Sequence, residues 1–383
     1  NKLTSPENFA RSLSGDISFV GILHLLVFPP KCSNFVDTNL STISPTMYKK
    51  IFLLIFVVVS LVAFSCRKRH VRDFSPKANF DALWQILDCK YCFFEEKGID
   101  WDGVRRVYEA KLPEIRSQVA MFDLFAKMLD TLQDGHVNLY SPFDVSRSKG
   151  WFEAYPSNFN EKLIFSDRYL GQKYRVGGGF QYAPIADGKV GYIRYSSFSS
   201  AVSFASLQYI GEFFKACRGI IIDLRNNGGG SLGYSEDFAS VFMREKTLTG
   251  YIRHKTGRGH SDFSEPSEVY TPKNSRLDWS ERRVVVITNR RCYSATNDFV
   301  CRVKNAPNVT VIGGITGGGG GIPTSNELPN GWMVRFSSVQ ILDVDRRQIE
   351  FGIAPDVEVT MNAIDVANGF DTLIEQAIAF ILK

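Results

Sequence analysis

The stretch from Val284 to Phe299, V-V-V-I-T-N-R-R-C-Y-S-A-T-N-D-F, runs from a strand-like segment into a helix-like one. Its first four residues are apolar, as in a strand that is buried on both faces, and a helical pattern starts at Ser294. A serine at a helix start is often an N-cap, because its oxygen accepts a free backbone N–H. It can also be a nucleophile, and the surrounding sequence has to distinguish the two roles.

Strand-like and helix-like segments alternate on both sides of this stretch. The strand-like segments are 190–195, 219–224, 283–288, 309–312 and 332–336, and the helix-like ones are 205–217, 235–243 and 371–382. This alternation predicts an α/β fold with a mostly parallel sheet over residues 188–383. Ligands of such sheets bind beyond the carboxyl ends of the strands. Two strand ends therefore stand out, D-L-R-N-N-G-G-G at 223–230 and the segment that carries Ser294.

The residues before this region have other patterns. From 75 to 140, apolar residues recur at helical spacing, for example at Met121, Phe125 and Met128, which predicts a small helical N-terminal domain. Residues 141–187 are aromatic, polar and glycine-containing, and they predict an irregular connecting segment.

The first 74 residues have the pattern of a targeting segment. Met47 begins a short basic start, residues 51–64 are almost wholly apolar, and Ser65-Cys66 follows, which is the order of a secretory signal at 47–66. A cysteine directly after a small residue resembles a bacterial lipoprotein signal, in which Cys66 is lipidated; an uncleaved anchor is the alternative. Residues 67–74 are then a basic tether. We expect Met47 to be the true start and residues 1–46 to be spurious upstream sequence.

Composition narrows the classes of function. The 383 residues have a formal net charge of +5 without a basic stripe or zinc-finger spacing, so nucleic-acid binding is not predicted. The seven cysteines do not form a disulfide framework. Cys89 and Cys92 form a C-x-x-C pair, but no second pair or histidine cluster in the sequence completes a metal site. No metal or nucleotide cofactor is predicted.

A nucleophilic Ser294 needs a base, a group that orients the base, and donors for an oxyanion. Ala295 at the helix start offers a free backbone N–H, and the glycines at 228–230 allow another N–H to approach closely. His136, in L-Q-D-G-H-V-N-L, stands where a loop turns into a strand and is the candidate base, although a lone histidine there is more often structural. The other histidines after the signal lie in the tether or in a polar stretch: His70, His254 and His260.

Four motifs, in this order, resemble those of the S41 peptidase family, which holds the C-terminal processing proteases and the tricorn protease. They are D-G-H-V after the helical region, D-L-R-N-N-G-G-G, C-Y-S-A-T-N-D-F, and E-F-G-I-A-P-D-V-E-V at 350–359. The likeness spans roughly residues 75 to 383. It implies an S41/crotonase-like catalytic domain.

The resemblance also assigns roles to residues of this sequence. It implies Ser294 as the nucleophile, His136 as the general base and Glu350 as the acid that orients or supports the histidine. The backbone N–H groups of Gly229 and Ala295 are the implied oxyanion donors. This is the Ser-His-Glu style of the tricorn protease.

The sequence also departs from the family patterns. Processing proteases have a catalytic lysine in a T-x-G-K-G motif, where this chain has Gly319, so a Ser–Lys dyad is not expected. Tricorn has a serine before the histidine, where this chain has Gly135; that polar group is missing or supplied elsewhere, for example by Asp134.

The glycine run at 317–321 is either a flexible loop or a wall of the site. Residues 141–187 are too few for the PDZ domain of many processing proteases, so none is predicted.

We therefore expect an exported serine endopeptidase that cleaves proteins or peptides by acyl transfer. It would reside in the cell envelope, facing the periplasm or as an outer-membrane lipoprotein, with its N-terminal signal or lipid at the membrane. A non-peptidase acyl hydrolase would use the same residues. A non-catalytic lipoprotein that binds peptides or glycans on the same fold is the alternative from another class.

Overall fold

The computed structural model describes residues 73–383. The predicted upstream sequence 1–46, the signal 47–66 with Cys66, and residues 67–72 of the tether lie outside the described residues. None of the helices in residues 73–383 is long and apolar enough to cross a membrane.

The first part of the described chain is helical. Its helices are α1 (Pro76–Lys90), α2 (Trp101–Glu109) and α3 (Gln118–Asp130), with a 3₁₀ turn at Leu112–Glu114. Serines are the N-caps of two of these helices. The side chain of Ser75 accepts a hydrogen bond from the Ala78 N–H at the start of α1, and that of Ser117 accepts one from the Ala120 N–H at the start of α3. The apolar stripes seen in the sequence thus start at capped helix ends.

Strands and helices alternate from residue 138 onward. In chain order the elements are β1 (Asn138–Tyr140), α4 (Gly150–Glu153), α5 (Glu161–Ile164), β2 (Arg175–Gly177), β3 (Phe180–Ile185), β4 (Val190–Tyr195), α6 (Phe204–Phe213), β5 (Gly219–Asp223), α7 (Leu232–Ser240), β6 (Thr247–His254), β7 (Ser267–Thr271), β8 (Val284–Thr288), α8 (Ala295–Val303), β9 (Val309–Gly313), β10 (Gly321–Glu327), β11 (Met333–Leu342), β12 (Val357–Glu358), α9 (Ala363–Ala367) and α10 (Thr372–Leu382).

The larger sheet has seven strands in the order β12-β9-β8-β5-β4-β3-β2. The strands from β12 to β4 run parallel to one another. β3 pairs antiparallel with β4, and β2 pairs antiparallel with β3. β5 and β8 are buried along their whole length, since α6, α7 and α8 cover one face of the sheet and α10 covers the other. This confirms the predicted α/β fold with a mostly parallel sheet.

A second sheet is antiparallel and has five strands. β1 and β6 pair with successive parts of one edge of β11, β10 pairs with its other edge, and β7 pairs with β6. The sequence indicated two of its strands, the one that follows His136 and the one at 332–336, and it placed the second among the strands of the parallel sheet. The helices α1 and α3 pack on this sheet in one apolar core, which includes Phe80, Phe125, Leu139, Val334 and Phe336. The helical segment therefore shares its core with the sheet and has none of its own.

The segment 141–187 also differs from its prediction as irregular connecting chain. It contains two short helices and the strands β2 and β3. β3 pairs with β4 along its whole length, from Phe180 opposite Tyr195 to Ile185 opposite Val190. Burial does not alternate regularly along this strand, because the adjacent residues Tyr182 and Ala183 are both buried.

Candidate active site

Ser294 lies between the end of β8 and the start of α8. Its backbone has φ 59° and ψ −121°, which a residue with a Cβ adopts only under strain. Its side chain forms no capping hydrogen bond; instead its Oγ lies 2.9 Å from Nε2 of His136. The turn is held because the Ser294 N–H donates to Gly318 O and the Tyr293 N–H donates to Asn227 O. Ser294 is therefore not an ordinary N-cap.

His136 lies in the turn between α3 and β1 and is 3% exposed. Its backbone N–H donates to Asp134 Oδ1 across 2.7 Å. Burial lowers the pKa of His136 to about 4, although the charge of Asp134 acts in the opposite direction. The ring is therefore neutral at pH 7, as a general base must be before it takes a proton.

Asp134 is a buried carboxylate that contacts both sides of the site. Besides the His136 N–H, it accepts hydrogen bonds from the hydroxyls of Tyr91 (2.9 Å) and Tyr293 (3.1 Å). Lys97 Nζ lies 3.8 Å away. Burial acts to raise the pKa of Asp134, but the charges of Lys97 and His136 and the hydrogen bonds outweigh it and lower this pKa. Asp134 is thus an anion that ties the turn of His136 to the residue before Ser294.

Glu350 is buried close to Lys97 and the glycine run at 317–321. Its Oε1 lies 2.8 Å from Lys97 Nζ, and its Oε2 accepts the Gly320 N–H across 2.8 Å. Among residues 73–383, no hydrogen bond joins Glu350 to His136. Burial and the charge of Asp134 raise the pKa of Glu350 to about 7, although Lys97 acts to lower it. Any orienting or supporting effect of Glu350 on the histidine is therefore not made by a direct hydrogen bond, because the Glu350 carboxylate binds Lys97 and the Gly320 N–H.

The two expected oxyanion donors differ in their present contacts. The Ala295 N–H, at the start of α8, has no acceptor within the described part of the chain. The Gly229 N–H, the other expected donor, at present donates to Asn227 Oδ1 across 3.0 Å. A Cβ at position 229 would lie 2.9 Å from the Ala295 nitrogen, so only glycine allows these two backbone segments to approach.

The glycine run at 317–321 is a wall of the site. Gly319 has φ +74°, and a Cβ there would lie 2.6 Å from Cζ of Tyr293. A Cβ at Gly320 would lie 2.6 Å from the backbone nitrogen of Glu350. The run is therefore packed between the segment of Ser294 and the segment of Glu350, and a lysine cannot occupy position 319 without displacing the Tyr293 ring.

Position 135 is closed off by aromatic side chains. A Cβ at Gly135 would lie 2.9 Å from Nε1 of Trp151 and 3.0 Å from Cζ of Tyr293. The rings of Trp151 and Tyr293 stack with their centroids 4.2 Å apart. The space that a serine would need at this position is thus taken by these two rings.

A cavity of about 380 Å³ adjoins the Glu350 side of the site. Its walls include Lys97, Trp151, Arg290, Tyr293 and Glu350. Arg290 donates through its guanidinium to three backbone oxygens and has no carboxylate partner among residues 73–383. The cavity therefore combines aromatic walls with both signs of charge.

Sequence reasoning missed Lys97, Trp151 and Tyr293 as members of the site. Lys97 follows an aromatic run in C-F-F-E-E-K-G, and nothing in this local pattern marks it. Tyr293 lies within the motif C-Y-S-A-T-N-D-F and Trp151 in the segment 141–187, but no role was assigned to either ring. Cys89 and Cys92 are both free thiols, and Cys92 is buried. Residues 73–383 contain no histidine, cysteine or carboxylate cluster that could hold a metal ion.

Comparison with known proteins adds independent information. The model of peptidase family S41 matches residues 189–359, and that of the tricorn protease C1 domain matches residues 75–130. The crystal structure of a "putative peptidase" from Parabacteroides merdae is 48% identical, with a TM-score of 0.77, and the match covers 81% of this chain and 98% of that chain.

Two curated relatives are more distant. A "Putative Tricorn-like protease C-terminal subunit" of Sulfurisphaera tokodaii is 28% identical over 58% of this chain and 24% of its own length. A "Probable CtpA-like serine protease" of Staphylococcus epidermidis is 26% identical over 45% of this chain and 34% of its own length. The chain thus spans about a quarter to a third of the length of these relatives. The matches and the order of the motifs show that this chain belongs to peptidase family S41.

Proposed function

We propose that this protein is an exported serine endopeptidase that cleaves proteins or peptides by acyl transfer. The observation that carries the proposal is the 2.9 Å contact between Ser294 Oγ and His136 Nε2. It is formed by a serine whose strained backbone has no capping role and whose partner is a neutral, buried imidazole. The protease names of the relatives support the same reaction class.

The proposed reaction begins with proton transfer from Ser294 Oγ to His136 Nε2 while the oxygen attacks the peptide carbonyl. His136 then gives this proton to the leaving amine as the C–N bond breaks, which leaves an ester on Ser294. Water attacks the ester carbonyl while His136 takes a proton from it; the bond between the acyl carbon and Ser294 Oγ then breaks, His136 returns the proton to Oγ, and the carboxylic acid product leaves. The anionic Asp134, hydrogen-bonded to the backbone of His136, stabilises the imidazolium that forms between these steps.

The developing oxyanion requires backbone donors beside Ser294. The Ala295 N–H is available for this role, and the positive end of α8 favours negative charge there. The Gly229 N–H becomes the second oxyanion donor when the substrate oxygen takes the place of its present acceptor, Asn227 Oδ1. Asn227 Oδ1 then still accepts a hydrogen bond from the Thr296 hydroxyl. The Lys97–Glu350 pair fixes the glycine wall through the Gly320 N–H and does not touch the reacting atoms.

A fluorophosphonate probe tests the nucleophile. We expect the purified protein to be labelled, and Ser294→Ala and His136→Ala to remain unlabelled with unchanged circular dichroism. Ser231→Ala is the matched control, because Ser231 also precedes a helix without forming a capping hydrogen bond. Activity that survives in Ser294→Ala refutes the assignment.

Substrate trials then separate the classes of function. Cleavage of substrate peptides at internal bonds supports the endopeptidase, and cleavage of esters alone supports a non-peptidase acyl hydrolase. Absence of labelling, while a reference serine hydrolase reacts, supports the non-catalytic peptide- or glycan-binding protein.

Export and membrane attachment belong to the same proposal and are supported by the signal pattern at 47–66. The proposed location is the cell envelope, with a lipid on Cys66. Mass spectrometry of the native protein is expected to find an acylated N-terminus at Cys66 and no peptide from residues 1–46. An unmodified Cys66 within a longer N-terminal peptide contradicts the proposed lipidation.

A further inference from the structure

The group that orients the ring of His136 has not yet been identified. Nε2 can accept the Ser294 proton only if the neutral ring carries its own proton on Nδ1. A hydrogen-bond acceptor beside Nδ1 stabilises that tautomer, and its loss allows the opposite one. Glu350 does not supply this acceptor, because both of its oxygens are bound by Lys97 and the Gly320 N–H.

Ser337 is the side chain beside Nδ1. Its Oγ lies 3.4 Å from His136 Nδ1, and both residues are buried. This distance is long for a hydrogen bond, as catalytic contacts often are before substrate binds. No other hydrogen bond of the Ser337 hydroxyl is formed within residues 73–383.

The pairing of two strands places Ser337 there. In the antiparallel pair of β1 and β11, Asn138 stands opposite Arg335. Continuing this register by two residues in each direction brings His136 opposite Ser337. Arg335 Nη1 also donates to His136 O across 3.5 Å, which holds the two segments together beyond the last pair.

Space has been left for the hydroxyl. A Cβ at Gly321 would lie 2.5 Å from Ser337 Oγ, so the glycine at the start of β10 is what allows the serine to sit between β10 and the ring. The backbone of Ser337 is fixed as well, because its carbonyl accepts the Cys92 N–H across 3.1 Å.

We propose that Ser337 is a positioning residue that accepts the Nδ1–H of His136 and so keeps Nε2 free as the base. It supplies from β11 the polar group that Gly135 cannot carry. Asp134 fixes the backbone of His136, and Ser337 fixes the ring. Ser337 exchanges no proton with substrate and forms no bond to it. The inference deepens the proposed function and rests on it.

The decisive measurement is the tautomer of His136 in ¹⁵N-histidine-labelled protein at pH 7. The sequence has five histidines, and His136→Gln assigns the signal of this one. We expect a proton on Nδ1 in the wild type, and a shift of the population toward Nε2–H in Ser337→Ala. Ser338→Ala, one position along the same strand, is the matched control and is expected to keep the wild-type tautomer.

Reactivity provides the second readout. The rate constant of fluorophosphonate labelling is expected to fall roughly 10²-fold in Ser337→Ala, within the range that general-base catalysis contributes. The melting temperature of this variant should stay close to that of Ser338→Ala, which separates positioning from misfolding. An unchanged Nδ1–H signal or an unchanged labelling rate in Ser337→Ala overturns the inference. The tautomer is readable in an inactive protein, so failure of the proposed function is distinguished from failure of this assignment.

Discussion

The ammonium of Lys97 lies 2.8 Å from the carboxylate of Glu350, and the two side chains are only 9% and 3% exposed. Lys97 follows α1, whereas Glu350 lies between β11 and β12. A residue of the helical segment thus binds the acidic residue that the family resemblance placed beside the histidine. The pair connects the first and last parts of the site.

Removing Lys97 alone should be costly. In Lys97→Met, Glu350 loses its cation in a buried place, and breaking a buried pair from one side typically destabilises by about 3–5 kcal/mol. The double variant Lys97→Met/Glu350→Gln should recover part of this loss, because Glu350 no longer leaves a buried charge unpaired, whereas Asp134 still loses the nearby cation. Urea unfolding of both single variants and the double variant measures the coupling. Lys77→Met, which breaks two exposed ion pairs with Asp81 and Glu109, is the control and should cost no more than about 1 kcal/mol. If the losses in free energy of unfolding of the two single variants add up to the loss of the double variant, Lys97 and Glu350 are not coupled.

The pH dependence of stability should contain two opposing contributions. Burial lowers the pKa of His136 from 6.5 to about 4, so its contribution is complete above pH 6.5 and is lost as pH falls toward 4. Burial raises the pKa of Glu350 from 4.5 to about 7, so its contribution is complete below pH 4.5 and is lost as pH rises toward 7. Between pH 4.5 and 6.5 the two slopes have opposite signs and largely cancel.

Single variants should separate these slopes. Relative to wild type, Glu350→Gln should lose about 3 kcal/mol of stability more as pH falls from 6.5 to 4, because only the His136 slope remains. His136→Gln should instead gain stability over the same fall in pH. Urea titrations at several pH values check both signs. If both variants keep the wild-type slope, these two groups do not determine it.

The glycine wall should not tolerate a side chain at position 319. Gly319→Ala places a methyl group 2.6 Å from the Tyr293 ring, and overpacking of this kind costs about 1–3 kcal/mol. Gly331→Ala is a matched control, since Gly331 also has a positive φ but nothing within 4 Å of its Cβ position. The difference between the two free energies of unfolding isolates the packing effect from the backbone effect. Equal losses in the free energy of unfolding at the two positions would show that the Tyr293 ring moves aside without cost.

The strain at Ser294 should be measurable as stability. Glycine accepts φ 59° and ψ −121° without a Cβ, so Ser294→Gly should be more stable than Ser294→Ala. At Ser231 the same comparison contains only the ordinary N-cap preference for glycine, about 1 kcal/mol, because its φ is −81°. We expect the gap at Ser294 to exceed that at Ser231 by roughly 1–3 kcal/mol in denaturant unfolding. Equal gaps would mean that Ser294 is unstrained.

The sequence was informative where local pattern and burial agree. β5 and β8 are continuous apolar runs because helices cover both faces of the parallel sheet, and their ends mark the Ser294 turn. The resemblance also led to His136, which the structure places 158 residues from Ser294 in sequence and 2.9 Å from it in space. The antiparallel sheet as a unit was missed because its five strands, β1, β6, β7, β10 and β11, come from distant parts of the chain.

The remaining members of the site depend on contacts that no local pattern contains. Lys97 reaches Glu350 only because α1 and α3 pack on the second sheet, and Ser337 faces His136 only through the register of β1 and β11. The contact of the Gly229 N–H with Asn227 depends on where one amide side chain points. These features are set by tertiary packing.

The core shared by the N-terminal helices and β11 has a consequence for control of proteolysis. Detachment of α1 and α3 from the second sheet would carry the His136 turn away from Ser294 and leave a serine without its base. If the protein is the proposed peptidase, a partly unfolded or heat-damaged molecule would thus lose its activity before the rest of the fold is lost. The contact between Ser294 and His136 would then exist only in a molecule whose shared core is intact.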